Sequence, residues 1–301
     1  MISAPKVDSK RGMEAGKDTG CAICDGQQSE FVFAKGGFDF LRCGACGLVS
    51  ISPIPSLAEI EAHHDQSYAE GGYATFAGAD SIRRTIAESR LAAVKGLAPQ
   101  GPWLDVGAST GAFVAAAAAA GQQAEGLEIS TVAVEHARAQ GLDVHQGAVE
   151  DFQPERGYAL ITAFDVVEHL AEPRAFVQRL GEWLLPGGAL AITVPSIRSM
   201  AARILGRSWF YYAPPDHVHY FDPDTIRRLL EGSALTDVEV RPAFKPLTID
   251  YAAEQLGHFT PALAPLARGI GRILPGRLAR YPWPIPVGEI FVTARRELRD
   301  A

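Results

Sequence analysis

The stretch Leu104-Asp-Val-Gly-Ala-Ser-Thr-Gly-Ala-Phe113 decides how the rest of this 301-residue chain is read. Apolar residues run into a turn bearing Gly107 and Gly111, and the alanine-rich segment behind it favours a helix. A strand, a glycine turn and a helix N-terminus let the backbone approach a ligand closely, with unpaired amides facing it. Glu128 follows about twenty residues later, at the end of the next strand-like run, where a carboxylate can accept both hydroxyls of a ribose. Taken alone, the turn fits more than one adenosine-containing ligand.

Outward from the turn, strand-like and helix-like segments alternate. The expected strands are Trp103–Val106, Ala124–Ile129, Asp143–Gln146, Ala159–Phe164, Ala189–Val194, Asp237–Arg241 and Glu289–Ala294. The expected helices are Ser81–Lys95, Ala112–Ala120, Val132–Gln140 behind a Ser130 cap, Pro173–Leu184 and Asp224–Glu231. This alternation predicts an α/β fold, a seven-stranded, mostly parallel Rossmann-like sheet covered by helices, with chemistry at the loops beyond the strands' carboxyl ends.

All four cysteines lie in one short segment, as Cys21-x-x-Cys24 and Cys43-x-x-Cys46 with eighteen residues between the pairs. That is the two-knuckle spacing of a structural zinc site. Phe31–Phe33 and Phe38–Leu41 supply a ribbon between the knuckles, and Gly44 and Gly47 supply permissive backbone. Two disulfides or four unpaired thiols are the alternatives. Four thiolates leave no open coordination position, so the zinc is expected to be structural.

The first twenty residues are polar and aperiodic and are expected to form a tail. They contain no apolar h-region, and no run approaches the roughly eighteen apolar residues of a membrane span, so a cytoplasmic protein is expected. The chain is 47% hydrophobic with a formal charge of −7, which gives no electrostatic reason to approach nucleic acid. A small-molecule substrate fits better. The expected organisation is tail 1–20, zinc module 21–50, linker or lid 51–80, and main domain 81–301.

Within the linker, Ser56 and Glu59 predict a capping box for a helix Leu57–His64, and Tyr68, Tyr73 and Phe76 among Gly71, Gly72 and Gly78 suit a lid or a surface linker. Near the C-terminus, Arg268, Arg272, Arg277 and Arg280 alternate with leucines and isoleucines, with no acidic residue between Glu254 and Glu289. This basic amphipathic stretch suits a diphosphate, a membrane surface or a cap helix with solvated arginines.

LDVGASTGAF, GLEIS, ITAFDVVEHLAEP, LLPGGALAITVPS and HVHYFDPDTIRRLL occur in an order that resembles class I S-adenosylmethionine (SAM) methyltransferases. The resemblance extends to the bacterial branch with an N-terminal four-cysteine zinc module, found among sugar and polysaccharide tailoring enzymes. It implies SAM as methyl donor and a sugar or glycan precursor, free or nucleotide- or lipid-linked, as acceptor. By this resemblance Asp105, Gly107, Ser109 and Gly111 surround the methionine part, Glu128 holds the ribose, Ala148 and Val149 edge the adenine, and Phe164 and Asp165 line the methionine side. Two positions depart from the pattern. Ser109 replaces the usual middle glycine, and Ala148 stands where many relatives carry an aspartate. The histidine segment Asp216-His217-Val-His219-Tyr220 resembles the acid–histidine pair of sugar methyltransferases and implies His217 as base, oriented by Asp216. Glu168-His169 resembles a pair that contributes to a divalent-metal site in ubiquinone and RNA-end methyltransferases. O-methylation of a quinone- or phenol-like metabolite, metal-assisted or not, and a non-catalytic SAM-binding role are the alternatives; a dinucleotide oxidoreductase would want a tighter G-x-G-x-x-G turn.

Overall fold

A computed structural model describes residues 20–56, 59, 79–249, 251, 276–279 and 281–298. Apart from Glu59, the expected helix Leu57–His64 lies outside these residues, as do the candidate lid Tyr68–Gly78 and most of the basic stretch. Ser56 itself shows the anticipated cap, its Oγ donating to Glu59 Oε2 at 2.7 Å and accepting from the Glu59 amide.

Three strands come first: β1 Ser29–Lys35, β2 Phe38–Cys43 and β3 Val49–Ser52. Helix α1 (Ala79–Val94) leads into β4 Trp103–Val106, α2 Ala112–Ala119, β5 Ala124–Glu128, α3 Thr131–Ala139 and β6 Val144–Gln146. Then follow β7 Tyr158–Phe164, α4 Pro173–Trp183, β8 Leu184–Pro195, α5 Met200–Leu205, β9 His219–Tyr220 and α6 Pro223–Glu231. Strands β10 Leu235–Pro242, β11 Lys245–Leu247, β12 Trp283–Ile285 and β13 Glu289–Arg296 complete the described chain.

Seven of these strands form the expected sheet, in the order β10-β13-β8-β7-β4-β5-β6. Strand β4 is parallel to β5 on one side and β7 on the other, so the chain winds outward from it in both directions. The crevice beyond its carboxyl end is therefore the switch point at which such sheets bind ligands. Every residue of β7 is buried, because helices cover both faces. On one face Ile161, Leu190 and Ile192 pack with Phe176, Leu180, Ile226 and Leu229; on the other Leu160 and Ala191 pack with Ala87, Val94, Phe113 and Ala117. The alanines of α2 let that helix lie close to the sheet, and Gly126 gives room to it and to the turn before it: a Cβ there would stand 3.3 Å from Val114 Cγ2 of the helix and 2.7 Å from the Cβ of Ala108 in the turn.

A second sheet, β1-β2-β3-β9, has a consequence that the sequence did not disclose. Its first three strands belong to the four-cysteine segment, whereas β9 comes from the loop after β8. Val49 pairs with Tyr220 and Ser50 with His219, and the Ile51 amide donates to the Val218 carbonyl at 3.0 Å. Phe33, Phe40, Val49 and Ile51 share a core with Val218 and Tyr220. Each such ring or branched side chain removed from water contributes roughly 1.5–3 kcal/mol, so this interface is part of the fold rather than an appendage.

No described helix is long and apolar enough to cross a membrane.

Candidate active site

The turn after β4 takes the conformation that its glycines predict. Gly107 (φ 73°) and Gly111 (φ 80°) lie in the left-handed region, and a Cβ on Gly107 would stand 2.5 Å from Val166 Cγ2. Ser109, where the usual pattern has glycine, also adopts a positive φ, 48°. Its amide donates to Glu128 Oε2 at 2.8 Å, which ties the strained residue to the end of β5. The Ser130 amide holds the other Glu128 oxygen at 2.9 Å. Burial raises the Glu128 carboxyl above its usual range. The Gly147 amide binds the Glu128 carbonyl, which draws the Ala148–Val149 loop alongside that carboxylate.

Asp105 is buried and accepts from Thr162 Oγ1 at 2.6 Å. Burial pushes its carboxyl up to about 7, and a cation arriving beside it favours the ionised form. Phe164 packs edge-on against Phe113, with the Arg90 guanidinium 4.6 Å above its ring. Asp165 follows at the strand end with φ 58°. All nine residues expected around the cofactor thus gather at the carboxyl ends of β4, β5, β6 and β7.

The two histidine clusters, separate in sequence, are one in space. His169 and His217 rings meet edge to face, 4.7 Å between centroids. Potential ligand atoms of Glu168, His169 and His217 all lie within 4.8 Å of one another. Glu168 is fully buried, and neither of its carboxylate oxygens has a hydrogen-bond partner among the described residues. Burial pushes its carboxyl up to about 8. His217 Nδ1 is likewise buried without a hydrogen-bond partner; burial, then the neighbouring His169, depress this imidazole to about 3. Burial alone would depress His169 too, but Asp216 overrides it and raises that imidazole to about 9.

Asp216 therefore serves His169 more than His217. Its Oδ1 lies 3.3 Å from His169 Nδ1, and its carbonyl accepts from the same nitrogen at 2.8 Å, whereas Oδ2 stands 3.8 Å from His217 Nε2. His219 is taken up structurally, between Ser50 Oγ at 2.8 Å and the Ala171 carbonyl at 3.2 Å. An unpartnered carboxylate beside two imidazoles is the donor set of a divalent-cation site, and these residues fit one.

The four cysteines also converge. Sγ atoms of Cys21 and Cys46 are 3.4 Å apart, those of Cys24 and Cys43 3.6 Å, and all four lie within 4.8 Å. Tetrahedral zinc with Zn–S bonds of about 2.3 Å needs sulfurs about 3.8 Å apart, so the quartet fits. A Cβ on Gly26 would crowd Cys43 and Cys24 Sγ at 3.1 and 3.3 Å, and Gly47 turns the second knuckle with φ 86°; Gly44 does not use a positive φ.

Sequence reasoning missed a cluster around Asp165, formed by Arg90, Tyr211, Lys245 and Glu289. These residues belong to no motif, and four separate segments supply them. The one available signal was Glu289, a carboxylate opening a strand ahead of the apolar run Ile290–Val292.

A family model described as "Methyltransferase domain" matches residues 79–240. Among curated proteins, the ubiquinone biosynthesis O-methyltransferase of Aromatoleum aromaticum is 24% identical over 164 residues, 50% of this chain and 70% of the relative. The protein of the same name from Idiomarina loihiensis is 26% identical over 161 residues, 48% of this chain and 65% of the relative. The matched segment thus spans about two thirds of these relatives. Among solved structures, phosphoethanolamine N-methyltransferase 2 of Haemonchus contortus, bound to phosphomonomethylethanolamine and S-adenosylhomocysteine (SAH), aligns with a TM-score of 0.55 at 16% identity, covering 86% of this chain and 64% of that one. A SAM-dependent methyltransferase of Thermotoga maritima gives 0.52 at 16% identity, covering 80% of this chain and all of that one. Likeness at this level speaks for the fold.

Proposed function

The chain belongs to the methyltransferase-domain family and is a SAM-dependent methyltransferase, and from that premise we propose that it methylates a hydroxyl oxygen of a small, phenol-like acceptor at Glu168, His169 and His217. The observation that carries this reading is the buried Glu168 carboxylate, whose two oxygens lack hydrogen-bond partners beside an equally unpartnered His217 Nδ1. Buried polar groups left unsatisfied cost about 1–3 kcal/mol each. Such a cost is tolerated where a ligand completes the set. A hydroxyl nucleophile must shed a proton during transfer, and this cluster lies beside the expected donor site to receive it.

On the donor side, Asp105 takes the methionine ammonium, the Gly107–Gly111 turn admits the methionine backbone, Glu128 binds the ribose hydroxyls, Ala148 and Val149 flank the adenine, and Phe164 and Asp165 border the methionine side. Arg90, fixed by Asp165 and Phe164, offers further N–H groups toward the methionine carboxylate. With Ala148 in place of an aspartate, adenine contacts there are apolar. On the acceptor side, Glu168, His169 and His217 would hold a divalent cation, with Asp216 fixing the His169 ring from behind. Such a cation supplies polarisation of the acceptor hydroxyl. Without one, Glu168 is the proton acceptor, its raised pKa suited to a phenolic hydroxyl. Cys21, Cys24, Cys43 and Cys46 hold a structural zinc. The ribbon (21–50) and the main domain (81–301) function as one unit, since β9 belongs to the ribbon's sheet.

A sugar or glycan acceptor, implied by the resemblance of the ribbon, finds no support in the relatives, which are named for ubiquinone biosynthesis. The test is transfer of labelled methyl from SAM to catechol and, in parallel, to UDP-glucose, with magnesium or chelator. Transfer to catechol that Glu168→Gln abolishes while SAH still binds is expected. Transfer to UDP-glucose alone, or full activity of Glu168→Gln, would overturn the proposal.

A further inference from the structure

Lys245, on β11, reaches across the mouth of the sheet to three segments distant in sequence. Its Nζ lies 3.2 Å from Asp165 Oδ2 at the end of β7 and 3.3 Å from the Tyr211 hydroxyl between α5 and β9, and it pairs with the Glu289 carboxylate at the start of β13. An ammonium has three N–H donors, and these three partners use them all. Lys245 therefore has none left for a ligand. The Tyr211 hydroxyl donates in turn to Glu289 and accepts from Lys245, so the phenol is fixed at both ends of its hydrogen-bonding capacity.

The two branches lead to opposite halves of the site. On one side Asp165, held also by Arg90 at 2.5 Å and Thr193 Oγ1 at 2.8 Å, keeps its left-handed backbone next to Phe164. A non-glycine residue in that region persists only where its surroundings over-determine it. On the other side the Tyr211 ring stacks on His217, with centroids 5.7 Å apart and planes 18° from parallel. Arg90 and Lys245 balance Asp165 and Glu289 in charge, so the cluster is closed. Losing Lys245 leaves two carboxylates sharing one cation.

We infer that Lys245 is a positioning residue for methyl transfer: by gripping Asp165 and the Tyr211–Glu289 pair at once, it sets the donor edge and the His217 acceptor edge in fixed relation. This rests on the reading of Asp165 as cofactor-side and His217 as acceptor-side. It assigns function to the strand pair β11–β12, which lies outside the main sheet.

The test uses the full chain and two readouts that need no acceptor: SAH affinity by calorimetry and the His217 imidazole resonances by NMR. Lys245→Met should weaken SAH about tenfold, the scale of one charge-assisted hydrogen bond, and shift the His217 resonances. Lys245→Arg, which keeps the charge, should recover SAH affinity to within about twofold. Tyr211→Phe should shift His217 while leaving SAH affinity unchanged, separating the two branches. A folded Lys245→Met with wild-type values of both readouts overturns the inference, as does a Tyr211→Phe protein whose His217 resonances do not move. If Lys245→Met does not fold, Glu289→Gln loosens the same grip while removing a buried charge, and wild-type values of both readouts there overturn it equally. An error in the proposed acceptor class would leave all of these measurements untouched.

Discussion

Asp216 Oδ1 stands 3.3 Å from His169 Nδ1, while its other oxygen is 3.8 Å from His217 Nε2. A carboxylate adjacent in sequence to one histidine thus orients the other, and the two imidazoles acquire opposite character. Asp216→Asn should drop the His169 pKa from about 9 toward the ordinary imidazole value, leaving His217 neutral throughout. Histidine NMR titration checks this. A downward shift confined to His217 would contradict the assignment.

Asp105 carries a second consequence. Burial holds its carboxyl at about 7 in the cofactor-free protein, and the ionised form is the one that pairs with an ammonium. SAH affinity should therefore rise as pH climbs through 7 and level off above it. Stability in the absence of cofactor should move the other way: the folded state binds the proton more tightly than the unfolded chain, so the Asp105 contribution declines as pH rises from the unfolded carboxylate value to about 7. Asp105→Asn should lose the dependence of SAH affinity and lessen the decline in stability, leaving the part that Glu168 contributes. Calorimetry and denaturant melts between pH 5 and 8 read the two trends.

Gly107 leaves little room for any substitution. At φ 73°, with a Cβ 2.5 Å from Val166 Cγ2, Gly107→Ala adds backbone strain of about 1–3 kcal/mol and a steric clash at the turn. Near-complete loss of SAH binding is expected, with a lowered melting temperature. Wild-type affinity in this variant would refute the assignment of the turn to the cofactor.

The ribbon should communicate with the site. Through the Ile51 amide and Ser50 Oγ it grips the segment that carries His217, and the Val218 amide in turn donates to the Glu168 carbonyl at 2.8 Å. Cys46→Ser, or chelator treatment, should remove the proposed zinc and expose 21–52 to hydrogen exchange. Exchange should rise at 217–220 as well, while residues 124–128 stay protected. Protection of 217–220 unchanged in zinc-free protein would show that the ribbon is only an attachment.

The strands and helices of the main sheet were legible in the sequence because their signals are local. Apolar runs bounded by Gly, Pro and capping residues fix element type, and Gly107, Gly111 and Glu128 sit where a strand-to-helix turn and the next strand end must put them. The cysteine quartet was legible for the same reason, since ligand spacing is a local constraint. What the sequence could not disclose depends on contacts between segments far apart along the chain. The pairing of β3 with β9, the turning of Asp216 toward His169, and the meeting of Arg90, Asp165, Tyr211, Lys245 and Glu289 arise only when strand order brings their loops to one edge of the sheet. Sequence alone determined that the chain winds a parallel sheet around a glycine turn. Tertiary structure alone decided which charges face each other beyond it, because burial and a few ångströms of separation, not neighbourhood in the chain, set the energy of a charge.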